Sequence, residues 1–236
     1  MSTALYAPHL DGERIQSCYY VTMIIRKQQV VIVGGGTIST YALSGIREGD
    51  YIIGVDRGAS WLIGQGIIPD VAIGDFDSVS PTELDEIRKK VGRVDEHPRG
   101  KDRTDSELAL DHAIALNPKE VVIYGALGTR LDHTIANIHL LEKLCKKGFA
   151  GVIRNENNEV RLVDSRMIVK KDVRFRYVSI LPVTDTIDVT LSGFVYDLSR
   201  VLICRGQTIG ISNEIKRERA TIEVHHGRAF VIQSRD

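Results

Sequence analysis

Two aspartates separated by a single residue, Asp75 and Asp77, follow a short apolar run at residues 71–73. On an extended backbone, side chains two residues apart point to the same side. At a separation of about 4 Å and an effective dielectric constant of about 20, two carboxylates repel each other by about 4 kcal/mol, so the pair favours a bound cation. A second polar cluster, Lys-Asp-Arg-Thr-Asp at residues 101–105, follows about one βα unit later.

The mixture of carboxylates and cations in these two clusters indicates a site for a magnesium-bound polyphosphate. Mg²⁺ prefers oxygen ligands and usually takes one or two carboxylates together with substrate phosphates. Lys101 and Arg103 supply the positive charge that phosphate oxygens need. Each cluster also has a purely structural interpretation: Asp75 and Asp77 as turn residues, and Asp105 as a first-turn acid favoured by the helix dipole.

The composition is that of an ordinary globular protein of 236 residues, with 43% hydrophobic residues. The 31 basic residues balance the 31 acidic ones, and a neutral chain without a basic block argues against nucleic acid or an anionic membrane as the main partner. No apolar run approaches the roughly 20 residues that span a bilayer. The scattered cysteines Cys18, Cys145 and Cys204 have neither disulfide nor metal-ligand spacing, which favours reduced thiols in the cytoplasm.

In the first half, short β-branched runs alternate with helical patterns, which predicts a mostly parallel, Rossmann-like α/β sheet. The predicted strands are residues 29–33, 51–55, 71–73, 92–95 and 120–124, and the predicted helices are 81–90, 105–116 and 132–147. The charged residues of interest directly follow strands or begin helices, at the carboxyl edge where open parallel sheets bind ligands. The triple glycine at residues 34–36 fits a tight βα turn better than a phosphate-binding loop.

After Gly148 the pattern changes to short β-like runs separated by turn signals, with little helical periodicity. The predicted runs are residues 151–154, 159–163, 175–181, 187–191, 220–224 and 229–232. This pattern predicts a second, antiparallel β domain, either a sandwich or a small barrel. We therefore expect a flexible extension at residues 1–22, an α/β catalytic domain at 23–150 and a β-sandwich domain at 151–236.

Several motifs, taken in order, resemble those of the thiamin pyrophosphokinase family. They are Asp56 and the segments 74–78, 101–105, 125–133, 191–198 and 206–214. The resemblance covers residues 30–232, nearly the whole chain. It implies a Rossmann-like catalytic domain followed by a β-sandwich, in a homodimer whose sites lie at the subunit interface.

The same resemblance implies an enzyme, a thiamin diphosphokinase, that moves a diphosphate from ATP to the hydroxyl of thiamin and releases AMP. Carried over to this chain, the catalytic residues and Mg²⁺ ligands are Asp75, Asp77 and Asp105. The residues around the nucleotide are Asp56, Lys101, Thr104, Arg130 and Asp132. Ser212 and Asn213 bind the thiamin pyrimidine from across the subunit interface.

Two positions depart from the family pattern. Thr129 stands where the family loop often has a glycine, and the single tryptophan, Trp61, lies in the first half, whereas some members place a tryptophan against thiamin from the β domain. Phe194 and Tyr196 are the aromatic residues that could replace it.

Other functions remain open at this point. The nearest is a diphosphokinase acting on another hydroxymethyl heterocycle, such as a pterin. A nucleotide-binding module without turnover is a second, and a metal-dependent glycosyltransferase, which needs only the Asp-x-Asp pair, is a third. For Arg130 and Asp132, a surface salt bridge or a helix cap is an equally simple explanation.

Overall fold

The computed structural model describes residues 29–100 and 102–236, so the predicted extension at residues 1–22 and Lys101 lie outside the described part of the chain. Within it, a nine-stranded sheet and a four-stranded sheet form two layers. None of the helices in these ranges combines the length and the apolarity that crossing a membrane requires.

The first half builds the parallel part of the large sheet, as predicted. Its strands are β1 (Gln29–Val33), β2 (Tyr51–Val55), β3 (Val71–Gly74), β4 (Val94–Glu96), β5 (Glu120–Tyr124) and β6 (Ala150–Arg154). They lie in the order β4-β3-β2-β1-β5-β6, and every neighbouring pair is parallel. The chain therefore moves outward from β1 to β4 and then returns to the other side of β1 for β5. Ligands bind in open α/β sheets at such a switch point.

Four α-helices and one 3₁₀ helix connect these strands. The helices are α1 (Arg57–Gly64), α2 (Pro81–Lys90), α3 (Asp105–Ala115) and α4 (Leu131–Lys146), and the 3₁₀ helix is Thr40–Gly45. The predicted α2, α3 and α4 are confirmed to within a residue at each end. At α2, Ser80 and Glu83 cap each other reciprocally, which satisfies two backbone N–H groups of the first turn.

The second half is antiparallel, and it confirms the predicted sandwich. Its strands are β7 (Asn158–Val163), β8 (Arg166–Lys170), β9 (Tyr177–Pro182), β10 (Thr186–Ser192), β11 (Leu198–Cys204), β12 (Arg219–His226) and β13 (Ala229–Ser234). Strands β7, β13 and β9 extend the large sheet, whereas β11-β10-β12-β8 form the second sheet. The core between the layers includes Ile180, Ile187, Ile203 and Ile222.

Strand β6 joins the two regions. The sequence pattern assigns it to the antiparallel half, but it pairs parallel with β5 on one side and antiparallel with β7 on the other. One layer of the sandwich is thus a continuation of the parallel sheet. The predicted domain boundary between residues 150 and 151 stays a prediction.

A partly buried ionic network holds the sheet together at this joint. Glu159 on β7 is only 8% exposed, and its two oxygens accept hydrogen bonds from Arg154 Nε at 2.7 Å and Arg161 Nε at 2.8 Å. Arg161 Nη1 also donates to Glu120 on β5 at 2.9 Å. Burial by itself raises the pKa of Glu159, but the charges and hydrogen bonds of Arg161 and Arg154 outweigh it, so the pKa lies below the ordinary value.

We expect Glu159→Gln to lower the free energy of unfolding by about 3 kcal/mol at neutral pH, because it leaves two arginines without their shared anion. The carboxylate contributes stability above its unfolded-state pKa of 4.5, and this contribution disappears as the pH falls through the lower pKa of the folded state. The difference between variant and parent should therefore shrink in acid. Chemical denaturation measured from pH 7 to pH 3 tests both points.

Glu223→Gln is the matched control, since Glu223 pairs with Arg166 at 3.4 Å on the exposed surface of the second sheet. We expect it to change stability by less than about 1 kcal/mol. If both substitutions changed the free energy of unfolding equally, the ionic network of Glu159 would stabilise the protein no more than an exposed ion pair does.

Candidate active site

The in-register pairing of the parallel strands brings their carboxyl ends to one edge. Val33 on β1 pairs with Gly54 on β2 and with Tyr124 on β5, so the residues after these strands meet. A cavity of about 620 Å³ opens at this edge. The aspartates that line it are Asp56, Asp75, Asp77, Asp102 and Asp105.

Three of these aspartates converge. Asp56 follows β2, Asp75 follows β3 and Asp105 is the first residue of α3, and each offers a carboxylate oxygen within 4.8 Å of the others. All three are half-buried. Oxygen-only donors at this density are suited to a hard divalent cation such as Mg²⁺. The family resemblance implies that Asp56 lies near the nucleotide. The structure brings its carboxylate beside those of Asp75 and Asp105, two of the predicted metal ligands.

The backbone fixes Asp56 firmly. Its φ is 47°, a conformation that L-residues rarely adopt, and its N–H donates to the Ile73 carbonyl at 3.1 Å. Its Oδ1 accepts a hydrogen bond from the Phe76 N–H, also at 3.1 Å. A Cβ on Gly74 would overlap this carboxylate oxygen, so β3 needs a glycine here for Asp56 to reach its position. Strained residues of this kind are frequent at functional sites.

Asp77 lies in the same cavity but outside the group of three. The Asp77 N–H donates to Asp75 Oδ1 at 3.1 Å, which folds the segment into a tight turn. Phe76 between them is buried with φ 53°, so it anchors the turn in the core. Arg99 Nε stands 3.8 Å from Asp77 Oδ2. The prediction that Asp77 is a metal ligand stays a prediction.

Four arginines surround the carboxylates: Arg57, Arg99, Arg103 and Arg130. Sequence reasoning missed Arg57 and Arg99, although each stands within two residues of a predicted site residue, Asp56 or Lys101. Acidic and basic side chains thus line one cavity, a combination that suits a polyphosphate and its cation.

A chain of ion pairs running from α4 through α3 holds Arg103. Its Nη1 donates to Asp111 Oδ2 at 3.1 Å. Lys143 on α4 contacts the other Asp111 oxygen at 2.7 Å and Glu107 at 2.9 Å. Thr104 caps the start of α3, its Oγ1 accepting a hydrogen bond from the Glu107 N–H at 3.2 Å, while the Glu107 carboxylate contacts Lys143.

Arg130 and Asp132 form a two-bond ion pair at the entrance to α4. Arg130 Nη2 lies 2.6 Å from Asp132 Oδ2, and Nε lies 3.3 Å from Oδ1. The hydrogen bonds from Arg130 lower the pKa of Asp132, so it stays ionised. Arg130 lines the cavity. The side chains of Arg130 and Asp132 are both largely exposed to solvent.

The triple glycine is a tight turn against β5. The Gly34 N–H donates to the Tyr124 carbonyl at 2.8 Å, and the Gly36 N–H donates to the Gly125 carbonyl at 2.9 Å. These two N–H groups are therefore committed to the protein, and a Cβ on Gly36 would collide with Gly125. The favoured sequence interpretation, a tight turn, agrees with this geometry.

Ser212 and Asn213 lie on the sandwich and are not among the residues that line the cavity. Ser212 is exposed with φ 57°. Asn213 is buried, and its amide is used within the chain: Nδ2 donates to the Tyr196 carbonyl at 2.8 Å, and Oδ1 accepts from the Tyr196 and Glu214 N–H groups. Of the two aromatic candidates, Phe194 is fully buried and Tyr196 is 69% exposed.

Comparisons with known proteins give a consistent result along the chain. Residues 44–153 match the family model described as "Thiamin pyrophosphokinase, catalytic domain", and residues 165–228 match "Thiamin pyrophosphokinase, vitamin B1 binding domain". The chain is 37% identical over 186 residues to thiamine pyrophosphokinase of Bacillus subtilis strain 168, which covers 78% of this chain and 87% of that protein.

Solved structures agree with the sequence match. The crystal structure of the thiamine pyrophosphokinase from Bacillus subtilis superposes with a TM-score of 0.83 at 34% identity, covering 89% of this chain and all of the other. The Geobacillus thermodenitrificans thiamin pyrophosphokinase gives a TM-score of 0.81 at 33% identity, covering 89% and 98% of the two chains.

The close approach of Gly74 to Asp56 can be tested directly. We expect Gly74→Ala to weaken Mn²⁺ binding by at least about tenfold, because the added methyl group displaces a carboxylate of the cluster. Titration calorimetry measures this affinity, and far-ultraviolet circular dichroism checks the fold. Gly92→Ala is the control, since a Cβ at Gly92 has open space around it. Equal Mn²⁺ affinities in the two variants would rule out Asp56 as a ligand.

Proposed function

We propose a role for each part of this site from one premise: the chain belongs to the thiamin pyrophosphokinase family, whose members transfer pyrophosphate from ATP to thiamin. It is accordingly a transferase that forms thiamin diphosphate. Neither another heterocyclic substrate nor a non-catalytic role finds support in these comparisons. The observation that carries the assignment of roles is the convergence of three carboxylates in a cavity lined by four arginines.

The carboxylates of Asp56, Asp75 and Asp105 fit a divalent cation, which we take to be Mg²⁺. They offer hard oxygen donors, come from two loops and the start of α3, and lie within 4.8 Å of one another. Their mutual repulsion gives the cluster a strong preference for a cation. When bound, Mg²⁺ supplies positive charge to the phosphate oxygens of ATP.

The arginines bind the remaining negative charge of the triphosphate. Arg103 is held by Asp111 and Arg130 by Asp132, so their guanidinium groups are oriented before the nucleotide arrives. Such preorganisation reduces the entropic cost of binding. Thr104 lines the same wall, and Lys101 joins this set on sequence grounds alone.

The reaction is an in-line displacement at the β-phosphorus of ATP. The hydroxyl oxygen of thiamin forms the new bond to this phosphorus, and the bond to the oxygen bridging the α- and β-phosphorus breaks. AMP leaves with that oxygen and its electron pair. We assign the hydroxyl proton to Asp77, in place of the metal-ligand role that the family resemblance implies, because Asp77 lines the cavity outside the carboxylate cluster and is 47% exposed. The other residues act by positioning and charge neutralisation.

Thiamin lies between this cavity and the sandwich of a second subunit. Ser212 and the exposed Tyr196 belong to a surface that does not line the cavity of their own chain. Exposed Ile209 and Ile211 beside Ser212 provide an apolar surface for the second copy. In this homodimer Ser212 contacts the thiamin pyrimidine, whereas Asn213 contributes by holding the loop that carries Tyr196. The free thiols of Cys145 and Cys204 favour a cytoplasmic setting.

The first experiment is product analysis after incubation with thiamin, ATP and Mg²⁺. We expect equal amounts of AMP and thiamin diphosphate, separated by chromatography. Asp75→Asn should lower turnover at least about 100-fold, because it removes charge that acts on the phosphate groups in the transition state. Asp85→Asn is the control, since Asp85 lies on the exposed surface of α2.

Two results would overturn this assignment. ADP together with thiamin monophosphate would place the attack on the γ-phosphorus. Near-normal turnover of Asp75→Asn in Mg²⁺ would remove Asp75 from the metal site.

Ser212→Gly tests the thiamin contact without straining the backbone, because glycine readily adopts the φ of 57° found here. We expect the KM for thiamin to rise about tenfold through the lost hydrogen bond, with the KM for ATP unchanged. Asn117→Gly is the control. It also replaces a residue of positive φ (51°) by glycine, but in another part of the chain, after α3. An unchanged KM for thiamin in Ser212→Gly would exclude the hydroxyl as a ligand.

A further inference from the structure

Asn137 is a buried polar residue on the wall of the cavity, and nothing described so far assigns it a role. It lies in the second turn of α4, among the apolar residues of that helix, and is only 9% exposed. It lines the same cavity as the carboxylate cluster. Its Nδ2 donates to the Ala126 carbonyl, which directly follows β5, at 2.8 Å.

This hydrogen bond fixes the orientation of the amide. A backbone carbonyl only accepts hydrogen bonds, so the NH₂ group of Asn137 must face Ala126 and the Oδ1 atom must point elsewhere. Among the described residues, Asn137 makes this one side-chain hydrogen bond, and none is made to Oδ1. In the described part of the chain, the side-chain atoms that are fully buried without a partner are Asp188 Oδ1 and Arg228 Nε. Asn137 Oδ1 is not one of them, so it keeps accessible surface on the cavity that the residue lines.

Because Asn137 Oδ1 is a hydrogen-bond acceptor in a fixed position, it favours a ligand that carries a hydrogen-bond donor. Buried polar atoms in proteins are almost always paired, and a residue that is otherwise enclosed gains by meeting a partner from the ligand. Phosphate oxygens are acceptors and would be repelled by Oδ1. The partner must therefore be an O–H or N–H donor.

The position of Asn137 across the sheet indicates which part of the ligand carries that group. Asp75 follows β3 and Asp56 follows β2, whereas Ala126 follows β5, on the far side of β1. With neighbouring strands about 4.8 Å apart, β5 lies about 10 Å from β2. A triphosphate bound at the cluster thus has its ribose and base within reach of α4, while thiamin is approached from the sandwich.

We propose that Asn137 Oδ1 accepts a hydrogen bond from the nucleoside of ATP, either from a ribose hydroxyl or from the 6-amino group of adenine. Asn137 then contributes to specificity for the nucleotide. Its NH₂ group holds the side chain against the Ala126 carbonyl, and its oxygen binds the nucleoside. This inference rests on the proposed function in one respect, namely that the cavity binds ATP.

The test is a comparison of nucleotide affinities in the absence of thiamin. Titration calorimetry with Mg²⁺ present would measure Kd for ATP, 2′-deoxy-ATP, 3′-deoxy-ATP and purine riboside triphosphate, which lacks the 6-amino group. We expect the parent protein to bind one of the three analogues about tenfold more weakly than ATP. Asn137→Ala should bind ATP about tenfold more weakly and show no further loss with that analogue. The analogue that behaves in this way identifies the donor.

Thr134→Ala is the matched control. Thr134 Oγ1 exchanges hydrogen bonds with Gly128 in the loop after β5, so this substitution loosens the same loop without removing a cavity-lining group. It should weaken all four nucleotides equally. If Asn137→Ala does not fold, Asn137→Ser replaces it, because serine is polar and leaves a smaller void.

A uniform loss of affinity for all four nucleotides in the Asn137 variant would overturn the proposal, since it would show that Asn137 acts only by holding the Ala126 carbonyl. Because the readout is binding, it is independent of turnover. A parent protein that binds ATP with the expected discrimination but forms no AMP from thiamin and ATP would refute the proposed reaction and leave the role of Asn137 intact.

Discussion

The site depends on the central position of β1 between β2 and β5. All five residues of β1 are buried, and both of its edges are paired in parallel register. Parallel strands in register end at the same level, so every loop that follows them opens on one edge of the sheet. The return of the chain across β1 to form β5 separates the loops that carry the aspartates from the loop that leads into α4. The cavity exists because of that separation.

The carboxylates of the site repel one another, and contacts within the protein hold them and the neighbouring arginines in place. Carboxylates from two loops and the start of α3 come together although they repel each other, and backbone contacts such as the Phe76 N–H to Asp56 hydrogen bond hold them there. Two arginines that line the same cavity are restrained by ion pairs of their own, Arg103 by Asp111 and Arg130 by Asp132. The folded protein therefore holds carboxylates and arginines close together on one cavity. Rigid, preorganised charge of this type is the main source of catalysis in phosphoryl transfer.

The sequence predicts those features that arise from local chemistry. Pro81 marks the start of α2, and the β-branched runs identify β1, β2 and β5. By contrast, α1 escapes prediction because it has only eight residues, two of them glycine, and directly follows a residue with positive φ, Asp56. Membership of Asp56 in the carboxylate cluster depends on that φ and on the glycine opposite it, which no spacing rule encodes. Asn137 gives no signal either, since a single asparagine in an amphipathic helix looks like an ordinary polar residue.

The sharing of one sheet by both halves of the molecule also governs how the chain can fold. Strands β7 and β9 do not pair with each other, and each pairs with β13 instead. Between the end of β7 and the start of β13 lie 65 residues. During synthesis, the edges of β7 and β9 that pair with β13 therefore stay open until β13 has emerged from the ribosome. Long-range pairing of this kind slows folding and leaves strand edges exposed to other chains in the meantime. The pairing of β13 with both strands is therefore the step that completes the large sheet.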